Sequence, residues 1–180
     1  INVVLLFLIA SYIACSLFPL LRSGYYSDDM VSSLTRGKLE YEKISFSTNV
    51  LNEATFGIKT LGRLQPFGAL VGSTVMYFAY NVNLYKSIVL SLVIINVFLF
   101  GYFIQTISKD KNLAIFSMLV MPLFFQFKYY HDPILSFGGG LQVIFCFFMT
   151  SSIFLQKYLE RGDHWILIIT LLFYNLCLYY

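Results

Sequence analysis

Charge is what this chain of 180 residues has least of. Only 12% of its residues are Asp, Glu, Lys or Arg, about half of the ~25% usual in a water-soluble domain. Together with a hydrophobic share of 58%, that scarcity excludes a water-soluble enzyme and a disordered tail. Twelve basic residues against nine acidic ones leave a net charge of +3, too little for a polyanionic partner, so a nucleic-acid module is excluded as well. Cysteine is scarce too. Cys15, Cys146 and Cys177 each lie inside an apolar run, which suggests neither a disulfide framework nor a metal cluster. No Ser-His-Asp set, Cys-His set, His-rich cluster or phosphate loop is present.

Long apolar runs are what the chain does have. A bilayer core about 30 Å thick needs roughly 20 apolar residues of helix. Five segments approach this, at about 2–21, 87–107, 112–127, 141–155 and 164–180. Backbone groups in lipid must be satisfied within their own segment, so each is expected as a helix. The expected fold class is all-α, a polytopic transmembrane bundle. Ile1 already lies in an apolar run and Tyr180 closes another, so residues 1–180 read as the N-terminal part of one larger transmembrane domain. Tyr12-Ile13-Ala14-Cys15 half-resembles a lipoprotein cleavage site, but the basic segment that should precede it is absent.

The connections suggest an orientation. The short connections 108–111 and 156–163 carry Lys109, Lys111, Lys157 and Arg161, whereas 128–140 carries one basic residue. The excess of Lys and Arg assigns the two short connections to the cytoplasm. The 128–140 connection and the long 22–86 connection then face outward from a plasma (inner) membrane. Within the long connection, 65–82 is apolar but contains Gly68, Gly72, Ser73 and Thr74. It reads as an interfacial or re-entrant helix, with a full span as the alternative.

Acids at a membrane edge are costly and are the first place to seek chemistry. Asp28 and Asp29 follow the first apolar run. Two adjacent carboxylates at a low-dielectric boundary repel, and one of them is then suited to take a proton. The alternative is structural, with Ser27 or Asp28 capping a helix that starts near Met30. Asp132, in Tyr130-His131-Asp132-Pro133, is either a turn opener or a second acid on the outer face. With His131 it offers oxygen and imidazole ligands of the kind that suit Mg²⁺ or Mn²⁺. Arg63, in Gly62-Arg63-Leu64-Gln65-Pro66, is shaped to hold a phosphate bidentately, aided by Lys59, or else to snorkel beside the next helix. Gly138-Gly139-Gly140 reads as a turn, and His164 as an interfacial residue.

An acidic pair after the first span, helices along the membrane, and an acid in the second outer loop together resemble the GT-C class of membrane glycosyltransferases. Gly62-Arg63-Leu64-Gln65-Pro66 and Tyr130-His131-Asp132-Pro133-Ile134-Leu135-Ser136 also look like segments of bacterial glucosyltransferase-like surface-polysaccharide proteins. The resemblance implies a hexosyltransferase of the cell envelope. It would take a sugar from a polyprenyl-phosphate donor on the outer face and pass it to a glycan, lipid or protein acceptor. Asp28 or Asp29 would then contact the acceptor, as base or as metal ligand, and Asp132 would be the second-loop acid. Arg63 matches no catalytic position of the class, so its donor-phosphate role rests on charge alone. The class has more spans than these and often a further outer domain. A transporter or flippase for lipid-linked glycans and a non-catalytic assembly subunit are the alternatives.

Overall fold

The computed structural model describes residues 3–25, 29–62, 64–125 and 139–179. Among them there are ten α-helices, one 3-10 turn and no strand. Asp28, Arg63, His131 and Asp132 lie outside the described residues.

The first apolar run folds as α1 (Val3–Ser16) and α2 (Phe18–Arg22). Pro19, at the start of α2, has no amide hydrogen to donate, and the helix breaks at Leu17. Three helices follow: α3 (Asp29–Ser32), α4 (Thr35–Glu42) and α5 (Phe46–Leu61). The Ser45 hydroxyl caps α5 by accepting from Thr48 N at 3.2 Å. Gly62 closes it at φ 64°, a conformation that glycine adopts without strain. α6 (Pro66–Phe78) has 13 residues and is about 20 Å long, short of a ~30 Å hydrocarbon core. It packs against α4, α5, α7 and α9 instead.

α7 (Val82–Ser108) is the axis of the molecule, 27 residues or about 40 Å in length. Asn81 starts it, accepting from the amides of Asn83 and Leu84 at 3.0 and 3.3 Å. The helix therefore begins five residues before the apolar segment expected at 87–107, and it takes Tyr85 and Lys86 into its first turns. α8 (Lys111–Val120) is capped by Asp110 and passes into a 3-10 turn (Met121–Phe124) at Pro122. α9 (Gly140–Arg161) and α10 (His164–Leu178) form a hairpin through Gly162 at φ 69°.

The core lies along α7. Val89, Val93 and Val97 are buried against Ile9, Ile13, Leu17 and Leu20 of the α1–α2 line and against Met118 of α8. Gly101 permits the close approach of α8, because a Cβ there would lie 2.3 Å from Met118 Cγ. On the other side Asn96 links α7 to α9, donating to the Gln142 carbonyl and side-chain oxygens at 2.9 and 2.8 Å. Cys146 Sγ donates to Asn96 Oδ1 at 2.8 Å. Ser151 ties α9 to α10 by donating to the Thr170 carbonyl at 3.0 Å.

α7 and α9 are long and apolar enough to cross a membrane, with mean hydropathies of 2.4 and 1.3 over their best windows. Only 33% and 22% of those windows is buried within the molecule. Two apolar helices that show most of their surface outward suggest a membrane protein. The remaining apolar helices are shorter, at 10 to 17 residues.

Candidate functional site at the head of the long helix

Two ends of the molecule can be told apart by their contacts. At one end, an ion pair between Lys109 and Glu160 joins the α7–α8 and α9–α10 connections. The other end, around the start of α7, collects polar groups whose burial would be costly if they were left unsatisfied.

Asp29 opens α3 and is 1% exposed. Its carboxylate accepts a hydrogen bond from the hydroxyl of Tyr85, one turn into α7 and itself wholly buried. The residues are 56 positions apart, so this contact pins the entry to the long connection onto the helix that leaves it. Next to Tyr85, Lys86 is also fully buried, with Nζ 5.2 Å from the Tyr85 ring centroid. An ammonium near a ring face gains cation–π attraction, which strengthens as water is removed.

Tyr25 completes the wall. Its ring lies 5.9 Å from that of Tyr85, and its hydroxyl donates to the carbonyl of Ala79 at the end of α6. Burial raises the Tyr25 hydroxyl above the ordinary tyrosine range. The site thus holds a carboxylate oriented by one phenol, an enclosed ammonium, and a second phenol that locks α6 onto the same end. Such a carboxylate is fixed in direction and removed from bulk water, which is what general-base or electrostatic work requires.

Of the residues singled out from the sequence, Asp29 is in this site. Lys59 is exposed in the last turn of α5, where its charge complements the helix C-terminus. Asp28, Arg63, His131 and Asp132 are not described. Phe125 and Gly139 flank the undescribed connection. Phe125 packs against the core, and Gly139 abuts Val89 and Leu92 in the first half of α7. Among the described residues, no group of three or more His, Cys, Asp or Glu is arranged to hold a metal.

Tyr85 and Lys86 were not anticipated. The available signal was Asn81, whose capping role makes 82–86 helical and carries Lys86 inward. Arg36 was missed as well. It pairs with Glu40 at 2.9 Å and lies over the Tyr80 and Tyr77 rings at 4.5 and 5.5 Å, placing a stacked guanidinium beside α6. Comparison with family models, with curated proteins and with solved structures gives no match to this chain.

Proposed function

We propose that the chain forms a multi-pass bundle in a bacterial plasma membrane and acts as a glycosyltransferase at its outer face. The proposed spans are α7 and α9, which have the length to cross, together with the α1–α2 line, α8 with its 3-10 turn and α10. The shorter helices of these last three need a locally thinned bilayer, and α3–α6 lie along the outer surface. The Lys109–Glu160 pair supports this threading, since it gathers both basic short connections at one end. The exposed Leu51 and Ile58 of amphipathic α5 are suited to the lipid boundary.

The observation that carries the reading is Asp29, buried and hydrogen-bonded by Tyr85 at the head of a helix of membrane length. In the proposed reaction, the acceptor hydroxyl attacks the anomeric carbon of a polyprenyl-phosphate-linked sugar. Asp29 takes or orients the hydroxyl proton, Tyr85 fixes the carboxylate, and the lipid phosphate departs with the bonding electron pair. Asp28 and Asp132 are proposed as further acids of the same face. His131, Arg63 and Lys59 are proposed on the substrate side. A divalent metal, Mg²⁺ or Mn²⁺, held by Asp132 and His131 remains part of the proposal.

Transfer of a labelled sugar from a polyprenyl-phosphate donor, followed in membranes carrying Asp29→Asn, tests the reading. General-base loss is expected to slow transfer by about 10²–10⁴-fold with membrane insertion unchanged. Full activity in the Asn variant removes Asp29 from the mechanism. The interhelical Asn96–Gln142–Cys146 cluster favours a second reading, transport of lipid-linked glycans, because polar groups along the helices are what a translocation path uses. In that case Asn96→Leu abolishes movement of the glycan between leaflets, and Asp29→Asn leaves it intact.

A further inference from the structure

The end of the bundle opposite Asp29 has its own recess. Leu6 of α1, Phe98, Tyr102 and Gln105 of α7, and Met118 of α8 line a cavity of about 530 Å³ that opens on the flank of the bundle. Its walls are almost wholly apolar, with the Gln105 amide as the main polar group. Lys157, reaching across from α9, lies with Nζ 5.1 Å from the centre of the Tyr102 ring, at the margin of the recess.

The charges at this end are unevenly used. Asp110 caps α8 and Asp163 caps α10, each accepting from backbone amides. Glu160 is engaged by Lys109. All three carboxylates on these two short connections therefore serve the protein itself. Lys111, Lys157 and Arg161 form no ion pair with a carboxylate among the described residues. An apolar slot with a half-buried ammonium at its rim, paired with no carboxylate among the described residues, is complementary to one kind of molecule: an apolar chain ending in an anionic group.

We propose that this recess is a binding site for an anionic phospholipid, one acyl chain lying between α1, α7 and α8 and the phosphate held by Lys157. The Tyr102 ring holds the Lys157 ammonium at the margin of the recess, where a headgroup phosphate would lie. The site is distinct from the Asp29 face and takes lipid from the leaflet on the side of the short connections. It rests on the reading that the bundle crosses a membrane.

Photo-crosslinking on the unaltered full chain in bilayer nanodiscs tests the site. The probe is phosphatidylglycerol bearing a diazirine at the acyl terminus, with phosphatidylcholine carrying the same label as the neutral control. Adducts concentrated on Leu6, Phe98 and Met118, stronger for phosphatidylglycerol, are expected; adducts spread evenly over the lipid-facing residues overturn the site. Lys157→Gln is expected to lower the phosphatidylglycerol preference about fivefold, the effect of one cation near a headgroup, and Lys157→Arg to retain it. Leu6→Trp, which projects an indole into the recess, is expected to lower adducts at Phe98 and Met118. An unchanged preference in Lys157→Gln overturns the assignment of the phosphate. Retention of the protein in the bilayer through an alkaline carbonate wash reports the membrane reading separately, so a washed-out protein and an empty recess are different results.

Discussion

The hydrogen bond from Tyr85 to Asp29 should behave as an energetic tie between two distant parts of the chain, and a double-mutant cycle measures it. Tyr85→Phe removes the donor and keeps the ring that packs near Tyr25. Asp29 stays behind, buried and short of one bond. A hydrogen bond to a charged group contributes about 1.5–3 kcal/mol, and a charged group deprived of its partner loses at least as much. Asp29→Asn keeps the shape, and the Tyr85 hydroxyl can still donate to its carbonyl oxygen in a weaker, neutral bond. The single changes should therefore cost about 2–3 and about 1 kcal/mol, with a combined loss smaller than their sum by roughly 1 kcal/mol. Unfolding in mixed micelles, followed by circular dichroism, supplies the four stabilities. If the two losses add to within about 0.3–0.5 kcal/mol, the residues are not coupled, and the bond cannot be what orients the carboxylate.

Other expectations follow from the packing. Gly101→Ala places a methyl group on Met118 and should cost about 1–3 kcal/mol, recovered in part by Met118→Ala; an unaltered midpoint in the same micelle assay would show that α8 yields freely. Asn96→Leu should lower stability by about 0.6–2 kcal/mol and leave helicity intact, since it removes the polar link from α7 to α9. In a background without native cysteines, Lys109→Cys with Glu160→Cys should be joined by a short bismaleimide, whereas Asn81→Cys with Glu160→Cys should not. Efficient joining of the second pair contradicts the direction of α7 relative to α9.

Much of the helical layout was legible because apolar length is a strong signal. The segments expected at 87–107 and 141–155 lie inside α7 and α9, and Gly162 ends α9 as a left-handed glycine should. The errors fall where a local rule competed with that signal. Lys86 closes the connection expected at 22–86, yet the Asn81 cap starts the helix earlier and the residue is buried. Leu17 lies in an unbroken apolar run, and only Pro19 hinted that the helix would divide there. The 65–82 stretch, read as an interfacial or re-entrant helix with a full span as the alternative, forms a helix of 13 residues.

The candidate site was half legible. Asp29 could be found from its place just after the first apolar run. Its partner could not, because Tyr85 is 56 residues away and one tyrosine among fourteen in the chain. Arg36 offered no pattern beyond a lone cation, and its stacking on Tyr77 and Tyr80 exists only once α4 packs on α6.

The Asn96–Gln142 link has a consequence for how the chain is made. α7 is the more apolar of the two long helices, and α9, at a mean hydropathy of 1.3, is the weaker candidate for entering lipid by itself. Synthesis delivers α7 first. Its buried amide then offers Gln142 a partner, and each interhelical hydrogen bond in a bilayer contributes about 0.6–2 kcal/mol. α9 should therefore integrate more completely when α7 is already present than when expressed alone, and Asn96→Leu should reduce that advantage. Glycosylation mapping of the two fusions reads the difference, and equal integration of α9 in both would show that the earlier helix does not act as its chaperone.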